Sequence, residues 1–254
     1  GGLKRGMARI ASNPAASAHG MRPAAARALY PFAWRTPVLV APGLDDSGPG
    51  HWQTLWQRRH PEMMRIVQED FATADLARWA ARVARAVEAS PVPPVIVAHS
   101  FGCLATVRAV LAHDVVLAGA LLVAPADPDM FGIAHGLLAA PLHFPSTLVA
   151  STNDPWLRFV TAGALAVEWG SRLASAGRAG HINADSGHGQ WVAGLGLLRD
   201  LAERAASVDA CSAPGAWVDP RSGDEASRVV DPGRVIPSAA ARPSTARSSS
   251  GPAS

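Results

Sequence analysis

Val95-Ile-Val-Ala-His-Ser-Phe-Gly-Cys-Leu104 is the stretch whose reading decides the fold. Pro91-Val-Pro-Pro94 breaks the chain before it, and the all-apolar run Val95 to Ala98 reads as a strand buried on both faces. Leu104 to Ala112 reads as a helix. A strand, a serine, a glycine two residues on and a helix match the nucleophile elbow G-x-S-x-G, with Ala98 in place of the first glycine. The turn is sharp and its helix packs close, so the flanking positions take small side chains, and alanine is small enough. Such a turn lifts the serine oxygen above the sheet edge at a helix N-terminus, where the dipole and free N–H groups favour negative charge. The plainer alternative is a serine that caps an ordinary helix. A bare S-x-G would favour the cap. The buried strand before Ser100 and two partners downstream favour a nucleophile.

The alternation extends outward from the elbow. Thr36-Pro-Val-Leu-Val-Ala41 is a short apolar run that ends in the turn Pro42-Gly43. Trp52 to Arg59 is helical in pattern, and Met64 to Gln68 reads as a strand. Leu76, Trp79, Ala80, Val83 and Val87 recur at helical spacing within 75–88, a helix that Thr73 would cap. Beyond the elbow, 119–124 and 147–150 read as strands and 156–169 as a helix. Residues 171–179 read as a strand by their place in the alternation, and 190–206 as a closing amphipathic helix. Strand and helix in turn mean βαβ units: an α/β three-layer sandwich, with a mostly parallel central sheet of about six strands and helices on both faces. Function in such sheets gathers at the carboxyl ends of the strands.

A serine hydroxyl is a weak nucleophile until a base takes its proton. In hydrolases with this elbow the acid and then the base follow the serine along the chain. Asp154 lies in Ser151-Thr-Asn-Asp-Pro155, just past the strand 147–150, and is the preferred acid. It would also suit the cap of a helix entered through Pro155. Asp127 and Asp129 compete with it, and Asp185 does so less strongly. His181, behind Gly180 at the end of the last strand, is the preferred base, and His188 suits a rim or substrate contact. His99 should point away from the hydroxyl.

An oxyanion would be met by the backbone N–H of Phe101 and by one from the loop after the first strand, where Leu44 is chosen and Gly43 gives the close approach. Asp45 and Asp46 are unexpected beside a developing anion and are read as pointing outward or as shaping substrate preference. Gly43, His51, Trp52, Trp156, His188 and Trp191 are the candidates for the substrate pocket. For the tryptophans this is weighed evenly against plain core or rim packing. Leu137 to Leu142, with His143 and Phe144, is a candidate acyl wall.

Composition sets the outer bounds. The 254 residues are 48% hydrophobic and 17% charged, which suits a folded domain, but the ends differ from the middle. Residues 1–35 carry Lys4, Arg5, Arg9, Arg22, Arg27 and Arg35 with no acid and are expected to be a disordered basic arm. Residues 207–254, rich in Ser, Pro, Ala and Arg, are expected to be a disordered tail. The folded domain is placed at 36–206. It carries more acids than bases, so the net charge of +3 belongs to the arm. A nucleic-acid partner, which needs Lys and Arg clustered on a folded surface, is not expected. The arm also resembles an organelle transit peptide, with an inert extension or a start upstream of the natural one as the alternatives.

Two cysteines, Cys103 and Cys211, make no disulfide framework, so a reducing, cytoplasmic setting is expected. No apolar run is long enough to span a membrane and no secretory signal is visible, so no membrane partner is expected. With no H-E-x-x-H, no paired cysteines, no G-x-G-x-x-G after a strand and no Walker A sequence, neither a metal nor a cofactor is expected. The expected partner is a small-molecule acyl substrate.

Several blocks together resemble a known family, the small α/β serine hydrolases of the YdeN type, related to retinoblastoma-binding protein nine. The blocks are Pro42-Gly-Leu44, Ser47-Gly-Pro-Gly-His-Trp52 with Trp56, and Ala98-His-Ser-Phe-Gly102. Ser151-Thr-Asn-Asp-Pro155 and Gly180-His-Ile-Asn-Ala184 with Ser186, Gly187 and Trp191 complete them. The resemblance covers 36–206 and omits both ends. It implies a compact α/β hydrolase without a large lid, with Ser100, Asp154 and His181 as the triad. It also implies hydrolysis of small esters or related acyl compounds. An amidase or peptidase using the same triad, and a catalytically weak hydrolase-fold interaction module, are the alternatives.

Overall fold

Four of the six strands bury every residue, because helices cover the sheet on both faces. The computed structural model describes residues 36–212, with side chains to 207. The expected arm 1–35 and all but the start of the expected tail lie outside the described residues.

The elements run β1 (Val38–Ala41), α1 (Trp52–Arg59), β2 (Met64–Arg65), α2 (Leu76–Glu88), β3 (Val95–His99) and α3 (Phe101–His113). After these come β4 (Gly119–Val123), two 3₁₀ turns (Pro128–Phe131 and His135–Leu137), β5 (Ser146–Ala150), α4 (Phe159–Glu168), β6 (Arg172–Ser175) and α5 (Val192–Ser212). The strands form one parallel sheet in the order β2-β1-β3-β4-β5-β6. The chain moves outward from β1 to β2, then returns to the other side of β1 and continues one way to β6. The reversal lies between β1 and β3, and the crevice beyond the carboxyl ends of these two strands is where such sheets hold their sites.

Successive side chains of a strand point to opposite faces. Leu39, Ala41, Ile96, Ala98, Leu122 and Leu148 therefore join the core beneath α2, α3 and α4. Val38, Val40, Val95, Val97, Leu121 and Val149 join the other, built with Trp52 and Trp56 of α1 and with Leu198 and Leu201 of α5. The three-layer arrangement is the one the alternation predicts. Among the described residues no helix is long and apolar enough to cross a membrane.

Boundaries differ where tertiary bonds overrule local pattern. β2 is two residues rather than five: Ile66 still donates to the Val40 carbonyl at 2.8 Å, after which the chain leaves the edge. α2 is capped by Asp75, whose carboxylate accepts the Arg78 N–H, and not by Thr73, whose carbonyl accepts the Trp79 indole N–H. α3 begins at Phe101, three residues before the expected start, because Ser100 alone completes the turn. α4 begins only at Phe159, so Asp154 and Pro155 stand in an open loop ahead of it. β6 stops at Ser175, and α5 continues past 206.

α3 packs so tightly on β1 that its second residue has no room for a side chain. A Cβ on Gly102 would lie 2.5 Å from the Ala41 carbonyl oxygen and closer still to that of Pro42. Both obstacles are backbone, so neither can turn aside. Gly102→Ala is expected to lower the unfolding free energy by about 3 kcal/mol, measured by urea denaturation, with a larger loss for Gly102→Val.

Candidate active site

Ser100 sits between β3 and α3 at φ 52°, ψ −123°. A positive φ is strained for any residue with a side chain, and such strain collects at functional sites. Two backbone bonds hold it: the Ser100 N–H donates to the Val123 carbonyl at 3.1 Å, and the Ser100 carbonyl accepts from Cys103 at 3.0 Å. Its hydroxyl makes no capping bond to α3, so the simpler role of a helix cap is not the one it plays. Gly43, in the loop after β1, backs directly onto it; a Cβ there would lie 2.8 Å from the Ser100 Cβ. Ala98 takes the place of the elbow's first glycine without conflict, since its methyl group lies in the core beneath α2 and α3.

His181 and Asp154 meet across two loops. The imidazole Nδ1 lies 3.0 Å from both carboxylate oxygens of Asp154. A carboxylate only accepts, so Nδ1 carries the proton and Nε2 presents a lone pair. The Asp154 side chain is 2% exposed, and its Oδ1 also accepts the Trp156 N–H at 2.9 Å. Asp154 therefore caps nothing at α4 and is committed to His181 and its own loop.

The residues that join these two loops do so through backbone partners that no sequence pattern marks. Ser151 Oγ accepts the Ala179 N–H at 2.9 Å, and Asn153 Oδ1 accepts the Gly180 N–H at 2.9 Å. The Thr152 N–H donates to the Gly177 carbonyl at 2.7 Å. The loop of Asp154 thus grips the loop of His181 through the three residues before Asp154. Gly180 is required for its own reason: at φ 57° a Cβ would lie 2.7 Å from the Ser186 Cβ.

Ser100 and His181 open into one cavity of about 320 Å³, walled by Leu44, Ala126, Met130, Phe131 and Trp156 and rimmed by Asp45, Asp127, Asn183 and Asp185. The Phe101 N–H is the first of α3 and has no intrahelical partner, and Leu44 lines the cavity. Of the pocket candidates, Trp156 lines the wall, half exposed, and Gly43 lies behind Ser100.

The others are elsewhere. Trp52 is fully buried in the core under α1, and Trp191 packs on it and on Trp56 at 4.9 and 5.7 Å. His51 is buried beside Trp52, and His188 lies 3.2 Å from Ser186 Oγ in the loop beyond the base. Nor do Leu137 to Leu142 reach this cavity: Leu138 and Leu142 are buried in the α3–α4 core. Met130 and Phe131 take that wall instead, from a 3₁₀ turn too short to leave a periodic signal. Asp127, weighed as a competing acid, accepts the Asp129 N–H and caps that turn. Asp46 turns away to an ion pair with Arg65, whereas Asp45 stays at the cavity rim. Among the described residues no group of three or more His, Cys, Asp or Glu side chains is placed to hold a metal ion.

The chain is similar to known proteins in sequence and fold. A family model described as serine hydrolase matches residues 38–200. The solved structure of a putative YdeN-like hydrolase from Pectobacterium atrosepticum is 40% identical, with a TM-score of 0.63 over 67% of this chain and 91% of that one. Two more distant structures show the fold alone. The ydeN gene product of B. subtilis is 20% identical, with a TM-score of 0.54 over 65% of this chain and 98% of that one. An esterase, RhEst1, from Rhodococcus sp. is 17% identical, with a TM-score of 0.50 over 66% and 90%. No curated protein sequence matches the chain.

Two further histidines lie under the site. Burial lowers His51 from its ordinary 6.5 to about 4, with Arg65 and His181 adding to the effect and Asp46 opposing it. Burial also holds His99 well below the ordinary value, helped by His51 and His181. As pH falls through 6.5 the unfolded chain binds protons that folded His51 refuses until about pH 4. The stability from neutral His51 is thus complete above pH 6.5 and is lost between there and pH 4. His51→Gln should shrink the difference in unfolding free energy between pH 7.5 and pH 5.0 by about 2 kcal/mol, read from urea titrations of variant and wild type.

Proposed function

The chain belongs to the serine hydrolase family, and from that membership we propose that it cleaves small esters or related acyl compounds, with Ser100 as nucleophile, His181 as base and Asp154 as the group that orients the base. One observation carries the reading: His181, bonded through Nδ1 to Asp154, shares a cavity with a strained serine whose hydroxyl caps nothing.

Ser100 Oγ attacks the carbonyl carbon as its proton passes to His181 Nε2. The carbonyl oxygen takes the negative charge and is met by the N–H groups of Phe101 and Leu44, each such donor being worth about 3–4 kcal/mol in the transition state. Asp154 stabilises the imidazolium across the Nδ1 bond. The intermediate collapses as His181 returns the proton to the leaving oxygen, which departs as an alcohol and leaves the acyl group on Ser100. Water, deprotonated by His181, attacks that ester, and His181 returns the proton to Ser100 Oγ as the acyl–oxygen bond breaks and the acid leaves. The two half-reactions use one proton carrier, and no other reactant enters.

The cavity describes the acyl group it suits. Leu44, Ala126, Met130, Phe131 and Trp156 offer apolar contact, while the charged side chains lining it are the carboxylates Asp45, Asp127 and Asp185. A short neutral acyl chain suits this surface better than one ending in a carboxylate, which would meet like charges.

A fluorophosphonate probe should label the wild type and fail to label Ser100→Ala; equal labelling of both would overturn the assignment. Asp154→Asn should lower kcat by about 10³–10⁴-fold, because the amide no longer holds the imidazole in the reactive tautomer. In steady-state assays p-nitrophenyl butyrate should be hydrolysed at least about tenfold more efficiently than the p-nitrophenyl hemiester of succinic acid, and the gap should narrow at high salt.

A further inference from the structure

We propose that His99 is a positioning residue for the base: its Nε2–H holds the backbone carbonyl of His181, so the residue next to the nucleophile sets where the imidazole stands. The proposal rests on the reading of Ser100, His181 and Asp154 as the catalytic set.

The base sits on backbone that would not hold its shape alone. Gly180 is at φ 57° and Ile182 at φ 47°. A β-branched residue in the left-handed region costs about 1–3 kcal/mol and persists only where its surroundings over-determine it. Three contacts do so. The Ile182 side chain is fully buried in the core with Trp52 and Leu198. The Ile182 carbonyl accepts the Trp52 indole N–H at 2.8 Å. The His181 carbonyl lies 2.9 Å from His99 Nε2. A carbonyl can only accept, so Nε2 carries the hydrogen and His99 donates.

His99 is itself closely packed. It ends β3 in register with Val123 and is 5% exposed. Its ring packs at 4.8 Å on His51 and 4.8 Å on His181, with Trp52 edge-on at 6.0 Å. Along the chain, Ser100 and His181 are separated by β4, β5 and β6 and the helices between them. Small shifts in any of those elements would add up in the distance between nucleophile and base. The His99 bond bypasses that path, joining the base's backbone to the residue before the nucleophile. Asp154 orients the ring through Nδ1; His99 sets its height through the main chain.

Two variants separate the donor from the ring. His99→Phe keeps a planar ring in the packed slot and removes the N–H. His99→Gln places an amide N–H near the position of Nε2. With p-nitrophenyl butyrate, His99→Phe should lose about tenfold to a hundredfold in kcat, with KM changed by less than about twofold. His99→Gln should recover most of that loss, and fluorophosphonate labelling should slow and recover in parallel. A wild-type kcat in His99→Phe, or an equal loss in both variants, overturns the proposal. A readout free of any folding defect is ¹⁵N NMR of the wild type, where His99 should be the neutral Nε2–H tautomer at pH 7; the Nδ1–H tautomer would also overturn it. A wild type that takes no label refutes the catalytic reading, whereas a labelled wild type with an indifferent His99→Phe refutes this inference alone.

Discussion

The contact between Gly102 and the end of β1 holds the site in place. The Ala41 and Pro42 carbonyls fill the space where a side chain on residue 102 would go, so α3 starts flush against the sheet. The chain can reach α3 from β3 only by turning at Ser100 with φ 52°. That turn directs the hydroxyl away from α3 and leaves the Phe101 N–H free at the helix start. Gly43 completes the arrangement from the other side, its bare Cα allowing the loop after β1 to lie against Ser100. Strain at one residue, two missing side chains and the reversal of strand order between β1 and β3 are parts of a single geometric solution.

Around that elbow His181 and Asp154 are placed by polar atoms bonded to backbone. Ser151 and Asn153 accept N–H groups of the base loop, and His99 and Trp52 donate to its carbonyls. These groups are mostly buried, where a hydrogen bond is stronger and its loss costs more than at the surface. The proposed role of the His181 imidazole calls for placement finer than a loop supplies, and donors and acceptors on both sides of residues 179–182 provide it. Both donors extend from rigid surroundings, His99 from the end of β3 and Trp52 from the buried first turn of α1.

The loop after β1 is secured in a similar way. Gln53, fully buried on α1, donates to the Ala41 and Val97 carbonyls and accepts from Ser47. Arg65 of β2 bonds Asp46, the Ser47 carbonyl, Thr54 and Gln57. Asp46 is thereby neutralised and drawn aside, and Asp45 is left to face the cavity. The tryptophans divide by the same logic: Trp52 and Trp56 each spend an indole N–H on a backbone carbonyl inside the fold, while Trp156 remains at the cavity mouth.

The sequence alone determined the parallel α/β architecture, because strands buried on both faces must read as unbroken apolar runs and helices must supply the cover. It also put forward Ser100, Asp154 and His181 as candidates, with Asp127, Asp129 and Asp185 competing for the acid, since an elbow signature is local and a residue just past a strand falls at the carboxyl edge of the sheet. Pattern could not show that Trp52 and Trp191 are packing residues, nor that Met130 and Phe131 form the wall. A large apolar side chain looks the same whether it faces a core or a cavity, and a 3₁₀ turn has no period. It also left His99 and Asn153 without a role, for their partners are backbone atoms far along the chain that carry no residue identity. Only the tertiary structure decided how His181 is held, because those bonds exist once β3, the loop of Asp154 and the loop of His181 have been brought to one edge of the sheet.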